Sequence, residues 1–400
     1  MNWNGSNHKK LNVSTLGDGQ KALLAEKRRS ELNLLPKPVG YLYRDGQDAD
    51  KLLYSANVPD NLQEIATWDR ALSFGNKSNT AYHCIITHDD DLVWVFRGEL
   101  ENTDENSRQN PIIFPGGDYA NPIEVDFGER IKPSAWLQNC GADQKWGEDY
   151  FIFAEYTRPH MERSYLWKVT KPYTDPDNWV RVLDFEVDVD IEHFHTVQYD
   201  TFSDCWVATT GDSDPEVKIF ISEDDGDTWS EVAGNSQRFR VLNYIFLEDK
   251  IYWASDTASE PHGLYRCGRD SNGLPDFVNY ERVYNLRKGQ PTYVTALIDK
   301  TDVKGLLLLG RVENPHADSH THVEVYFWDT EFDVMRLTKK IPVDGINRGF
   351  RARCTSFYPN PLDDRIVVGF DHFTNRMNIL TGTEKTLFLE ALNKDIKWIP

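Results

Sequence analysis

Residues 193–232 read "HFHTVQYDTFSDCWVATTGDSDPEVKIFISEDDGDTWSEV", and this stretch divides into four short strand-like runs. Valine, isoleucine, threonine and aromatic residues fill the runs, while Asp, Gly, Ser and Pro fill the gaps, which is what pleated strands and tight turns respectively need. The same order of runs recurs at 239–284 and at 291–341, and a degenerate copy at 149–183 ends on Trp179. Residues 350–390 and 80–127 follow it less closely, and 39–70 only loosely. Counted together they make about seven units of roughly 40 to 55 residues, the repeat length of propeller blades. One four-stranded sheet cannot hide both of its faces, whereas radial stacking buries each sheet against its neighbours. The expected fold is therefore an all-β propeller of four-stranded antiparallel blades, seven in number, with six as the alternative. No βαβ alternation is present, which argues against a parallel α/β sheet. A pair of β-sandwich domains would not explain the recurrence.

Net charge is −20, from 44 basic and 64 acidic residues, which argues against broad contact with nucleic acid or anionic lipid. No run of 18 apolar residues occurs, so no membrane insertion is expected. The start, "MNWNGSNHKKLNVSTLGDGQ", lacks the apolar core of a secretory signal. Cys84, Cys140, Cys205, Cys267 and Cys354 are odd in number and widely spaced. They form neither a disulfide framework nor a zinc pattern, and buried thiols in a protein made in the cytoplasm are expected. Residues 1–36 read as an arm carrying one short helix over Lys21–Leu32, and residues 37–400 as the propeller domain.

Ser222, Asp224, Gly226, Thr228 and Trp229 fill every defined position of the pattern Ser/Thr-x-Asp-x-Gly-x-Thr-Trp. On these residues the chain resembles the Asp-box (BNR-repeat) proteins of the sialidase-like β-propeller superfamily, over roughly residues 130–340. The resemblance implies a structural role for the box, and its chemistry agrees. Asp and Ser side chains accept the orphan N–H groups of a tight hairpin, and Gly supplies a positive φ. Trp229 is expected to fold back into the apolar layer and pin the turn. A calcium loop is the rival reading, but the spacing lacks the twelve-residue order and terminal Glu of an EF-hand.

In a propeller, chemistry belongs where first strands line the axis, away from the box turns. The starts of those strands are "SNTAYHC", "IEHFHTV", "SQRFRVL", "GQPTYVT" and "NRGFRARC". They hold Tyr82, His83, His193, His195, Arg238, Arg240, Tyr293, Arg351 and Arg353. Alternation places Arg351 with Arg353, and His193 with His195, on common faces. His193, His195, Arg240, Arg351 and Arg353 are thus candidates to hold a carboxylate or phosphate on a glycan. His193, His195 and Gln198 are also a candidate metal set, in the way some lyase propellers use His with Gln, which makes a divalent cation the one candidate cofactor. Sialidases use an arginine triad and a Tyr–Glu pair, which the resemblance maps onto Glu155, Tyr156 and Tyr293 as catalytic candidates, with Arg97 and Arg311 as further arginines. The Phe-Arg-Ile-Pro start of sialidases is absent and only one intact box is present, so that activity does not carry over. His316, His320 and His322 read as a solvated loop, and Asp212 and Asp214 as turn residues or cation ligands. Of Trp94, Trp136, Trp146, Trp206 and Trp253, most are expected in blade packing and one or two at the channel mouth.

The functional expectation is a carbohydrate-recognising propeller engaging host cell-surface polysaccharide through its axial channel. More loosely the chain resembles tail-associated propellers of Bacillus-type prophages of the SPbeta group. That resemblance implies a virion protein made without a signal peptide, with other virion proteins as partners through residues 1–36. The alternatives are a glycoside hydrolase or polysaccharide lyase acting on an anionic glycan, and a purely structural virion hub.

Overall fold

Among the described residues, every ladder between strands is antiparallel and joins strands that are neighbours in sequence, as the computed structural model shows. The structure describes residues 82–89, 91–96, 108–118, 121–134, 141–145, 147–157, 161–257, 263–285, 322–329 and 332–342. It further describes the strand backbones of 12–16, 20–25, 40–44, 51–55, 63–67, 292–300, 303–310, 352–359 and 366–372.

Seven sheets follow one another along the described residues. The first joins β1 (Asn12–Leu16), β2 (Gln20–Ala25), β3 (Gly40–Arg44), β4 (Lys51–Ser55) and β5 (Gln63–Thr67). The second holds β6 (Tyr82–Ile86), β7 (Leu92–Phe96), β8 (Ile112–Phe114) and β9 (Ile123–Glu124). The third holds β10 (Ala142–Gln144), β11 (Tyr150–Ala154), β12 (Arg163–Thr170) and β13 (Trp179–Glu186). The fourth holds β14 (Phe194–Asp200), β15 (Cys205–Thr210), β16 (Lys218–Ser222) and β17 (Ser230–Gly234). The fifth holds β18 (Val241–Phe246), β19 (Ile251–Ser255), β20 (Gly263–Arg269) and β21 (Pro275–Asn285). The sixth holds β22 (Thr292–Lys300), β23 (Val303–Gly310), β24 (His322–Asp329) and β25 (Val334–Pro342). The seventh pairs β26 (Ala352–Pro359) with β27 (Ile366–His372).

Contacts between sheets close a ring. First strands meet in succession, β10 with β14, β14 with β18, β18 with β22, β22 with β26, and β26 with β1. Strand β2 reaches β6, and a shared core joins the second sheet to the third. First strands that touch their counterparts on both sides are the inner strands of a radial array, which is the propeller the repeats predict.

Period-two alternation explains how one strand serves two interfaces. In β11, Phe151 and Phe153 face the second sheet, while Tyr150, Ile152 and Ala154 face the fourth. In β15, Trp206 and Ala208 face the third sheet, and Cys205 and Val207 face the fifth. In β19, Ile251 and Trp253 face the fourth, and Tyr252 and Ala254 the sixth. Trp94, Trp206 and Trp253 are all blade packing, and Cys205 and Cys267 are buried free thiols. Inner strands of adjacent sheets are laced by side chains bonded to backbone. Asp143 accepts from Tyr199 N at 3.0 Å, and Gln198 accepts from Tyr244 N at 2.7 Å while donating to Tyr244 O at 2.9 Å.

One expectation needs correction. Gln20–Ala25 is a strand paired with β1 and β3, where a helix over Lys21–Leu32 was expected. Helix propensity is a weak local preference that sheet pairing overrides. In the repeat at 149–183, "DYFIFAEY" holds the second strand of its sheet, because the short β10 precedes it.

The Asp-box forms the β16–β17 hairpin. Ser222 Oγ donates to Asp224 Oδ1 at 2.8 Å and accepts from Gly226 N at 2.9 Å. Asp224 also accepts from Thr228 N at 2.8 Å and Thr228 Oγ1 at 2.6 Å, and Trp229 Nε1 donates to Gly226 O at 3.0 Å. Asp225 and Asp227 reach across to the third sheet. Asp225 Oδ1 accepts from Lys145 at 2.8 Å and from Tyr150 OH at 2.9 Å, and Asp227 Oδ1 accepts from Lys168 at 2.6 Å. Trp229 packs with Tyr150 and Ile152 of that sheet. The box is thus a turn and an inter-sheet clasp.

Gly226 has φ +86°, and a Cβ there would land inside the Cδ1 methyl of buried Ile152. Gly226→Ala is expected to destabilise the fold by about 1–3 kcal/mol in urea titrations, through strain and overpacking together. Hydrogen bonds from Thr228 and Ser222 lower the Asp224 carboxyl to about 2. A depressed folded pKa stabilises above the unfolded value near 3.9 and ceases to do so as pH falls through the folded one. The melting-temperature gap between the native protein and Asp224→Asn should therefore be full at pH 7, narrow below about pH 4 and close near pH 2.

Candidate functional site at the inner strand ends

Strands β14 and β16 run the same way and end at the Asp-box side, so the opposite end of the fourth sheet carries the start of β14 and the loop after β15. His193 and His195 lie at that start, and Gly211 N donates to His193 O at 3.2 Å, fastening the loop beside them. Gly211 has φ +142°, and a Cβ there would sit 2.7 Å from Val217 Cγ2, so only glycine lets the chain turn here and present Asp212.

The register of β14 against β15 shifts between Phe194 and Thr196, which makes His195 the extra residue of a β-bulge. Register shifts recur in β18, β22 and β26. In a regular strand, residues i and i+2 stand roughly 6.7 Å apart. Here the imidazole centroids are 5.0 Å apart and their planes differ by 22°. His193 Nε2 and His195 Nε2 approach to 3.1 Å. Asp212 Oδ1 lies 3.1 Å from His195 Nε2 and 3.6 Å from His193 Nε2. Both histidines are buried, at 1% and 2% exposure, and His195 Nδ1 is buried with no hydrogen-bond partner.

Neighbouring sheets complete the site. Tyr156, just after β11, places its ring centroid 3.9 Å from that of His193. Arg240, just before β18, sets Nη2 2.6 Å from Asp212 Oδ1 and 3.8 Å from Asp256 Oδ2. Its Nη1 donates to Asp212 O at 3.3 Å, and Gln237 Nε2 donates to the same oxygen at 2.9 Å. Burial alone would raise the Asp212 carboxyl, but hydrogen bonds and charge from the two histidines hold it well below the usual carboxylate range. Glu192 lies 3.7 Å from His193 Nδ1, and its carboxyl is pushed up to about 7 by burial first and by the charge of Asp212 second.

His193, His195 and Asp212 offer three donor atoms that all lie within 4.8 Å of one another. Ligands at the usual distance around a tetrahedral zinc stand roughly 3.3 Å apart, close to the spacings seen here. Two imidazoles with one carboxylate suit zinc, manganese, iron or nickel better than calcium or magnesium. Asp212, Asp256 and Glu192 stand against Arg240 in this cluster.

Other candidates fall elsewhere. Glu155 is fully buried and points away from the histidines. Its Oε1 accepts from Arg108 at 2.6 Å, Ser134 N at 2.8 Å and Trp167 Nε1 at 2.8 Å, and its Oε2 from Tyr165 N at 3.2 Å. Burial pushes this carboxyl up and Arg108 pulls it down; every partner is a donor, which matches a carboxylate. Gln198 laces β14 to β18 and does not join the histidine pair. Arg238 donates to Tyr280 OH on the outer strand β21 at 2.9 Å. Tyr293 and Arg353 lie on β22 and β26, opposite Leu309 and Asp371, in strands described by backbone, as do Tyr82 and His83 on β6 and His322 on β24. Arg351, Arg97, Arg311, His316, His320, Trp136 and Trp146 lie outside the described residues. Glu192 and Asp256 were not singled out from the sequence. Asp256 directly follows β19, whereas Asp212 comes two residues after β15, so the two are not equivalent in the repeat.

No family model and no curated protein matches the sequence. Among solved structures, puromycin hydrolase is similar at 10% identity and a TM-score of 0.47, over 91% of this chain and 59% of that one. This chain therefore spans about three fifths of the length of that protein. An oligogalacturonate lyase from Vibrio parahaemolyticus is similar at 8% identity and a TM-score of 0.39, over 73% of this chain and 82% of that one. An oligogalacturonate lyase in complex with manganese is similar at 10% identity and a TM-score of 0.42, over 77% and 78%.

Glu155→Gln is expected to cost about 3–5 kcal/mol in urea unfolding, because it strips a buried guanidinium of its counter-charge. Any cation binding at His193, His195 and Asp212 should be unchanged in the folded fraction. Loss of cation binding with unchanged stability would instead place Glu155 in the site.

Proposed function

We propose that the protein is a carbohydrate-recognising β-propeller that holds a divalent cation on His193, His195 and Asp212 and uses it to engage an anionic glycan. The approach of the two Nε2 atoms to 3.1 Å beside Asp212 Oδ1 carries this reading. Neutral imidazoles present lone pairs that repel unless a proton or a cation lies between them, and a buried acidic neighbourhood favours the cation. Bound there, the ion would supply a positive charge at the inner strand ends, where the cluster is otherwise acidic. A partly exposed Tyr156 ring beside it suits stacking on a sugar face. In this reading the glycan lies on a host cell surface and the protein serves in a phage tail, the setting suggested by the sequence resemblance.

Glu192 favours a second reading, turnover. A carboxyl raised by burial and by the charge of Asp212, 3.7 Å from His193 Nδ1, is suited to proton abstraction from, or proton donation to, a glycan, as a lyase or hydrolase requires.

Titration with Mn²⁺ and Zn²⁺ by calorimetry should show one site per chain. His195→Ala should weaken it by at least roughly 10–100-fold, the loss that removal of even an outer partner of a metal ligand brings. Absence of binding, or binding indifferent to His195, contradicts the proposal. With anionic cell-wall polysaccharide, chelator-sensitive retention without new reducing ends or unsaturated uronate supports binding alone. Appearance of those products, lost in Glu192→Gln, supports turnover.

A further inference from the structure

Asp212 Oδ1 has claimants on two sides. The histidine nitrogens of the fourth sheet approach it at 3.1 and 3.6 Å, and Arg240 of the fifth sheet approaches it at 2.6 Å. A cation held by the histidines would need the same oxygen, and would then stand beside a guanidinium with only Asp212 between them. We infer that Arg240 is the anion-binding group of this site, occupied by Asp212 until a cation takes that carboxylate, so that cation and anionic ligand bind with positive cooperativity. The inference rests on the cation reading above and extends it to the ligand's chemistry.

Three observations support it. First, the guanidinium is only partly engaged. Nε is buried with no partner, Nη1 makes a long bond of 3.3 Å to a carbonyl, and Asp256 stands at 3.8 Å. Its one short bond is the one the cation would contest. Second, the backbone of Arg240 is fixed, because Asp256 N donates to Arg240 O at 2.8 Å and Arg240 N donates to Gln237 O at 3.2 Å. Only the side chain need turn. Third, charge decides the order of events. With Asp212, Asp256 and Glu192 against Arg240 alone, the cluster repels an anion; adding two positive charges cancels that excess. A carboxylate or phosphate lying between the ion and the fork of Arg240 relieves the repulsion between them, and the planar fork fits either group with two bonds. Linkage then requires that each ligand tighten the other by the same factor.

The test is a titration of Mn²⁺ followed by the electron paramagnetic resonance of the free ion. It is run alone, with saturating glucuronate and with saturating inorganic phosphate, each corrected for complexation in buffer. In the native protein at least one anion should tighten Mn²⁺ binding by about fivefold or more. The anion that does so distinguishes a uronate-type ligand from a phosphorylated one. Arg240→Gln should bind Mn²⁺ alone several-fold more tightly than the native protein, because a repelling charge is gone, and should respond to neither anion. Arg240→Lys, which keeps the charge without the fork, should show a weakened response to the anions. Mn²⁺ binding that is indifferent to both anions, or weaker in a folded Arg240→Gln, overturns the coupling and leaves the cation site standing. No Mn²⁺ binding at all overturns both. If Arg240→Gln does not fold, the native titrations and Arg240→Lys decide.

Discussion

A strand buried on both faces must send alternate side chains into two different cores, and the rest of this structure depends on that constraint. Strands β11, β15 and β19 each do so, with one set of residues committed to the sheet before and the other to the sheet after. No sheet is finished by itself. Each needs a neighbour on either side, and a closed ring is the arrangement that supplies one to every sheet without leaving an apolar end. A one-residue slip in any of these strands would exchange its two faces, so the register is firmly specified wherever both are packed.

The ring also determines where polar chemistry collects. At one end, the Asp-box turn reaches back to Lys145, Tyr150 and Lys168 of the preceding sheet, and its carboxylates are consumed in holding two sheets together. At the other, the chain segments before first strands and after second strands converge from three sheets. Tyr156, then His193, His195 and Asp212, then Arg240 and Asp256 are brought together there, although they span a hundred residues of sequence. The bulge at His195 interrupts the ladder at this end, where the two imidazole centroids stand 5.0 Å apart.

Much of the fold could be read in advance because strand patterning and turn chemistry are local. Repeats at 193–232, 239–284 and 291–341 correspond to the fourth, fifth and sixth sheets. The short β10, with only Ala142, Asp143 and Gln144, carries too little pattern to announce a strand, and Gln20–Ala25 carries helix-forming residues that pairing overrules. Among site residues, the histidine pair was legible from alternation, and its position opposite the Asp-box followed from the repeat. Gln198 and Glu155 misled for one reason. A polar residue in a strand gives no sign of whether it turns to the axis or to a neighbouring backbone or guanidinium, and here both turn inward to structure. Arg240 was legible as a candidate for an anionic ligand, but its pairing with Asp212 depends on how two sheets meet, which no local pattern encodes.

The central claim is that this meeting of sheets builds a cation site from His193, His195 and Asp212. The most direct measurement is anomalous diffraction from crystals grown with Mn²⁺. The account predicts a single strong peak within roughly 2.0–2.3 Å of His193 Nε2, His195 Nε2 and a carboxylate oxygen of Asp212, with Arg240 moved off that oxygen. A cluster that keeps its hydrogen bonds unchanged, with manganese absent from it or bound at another place, would contradict the account.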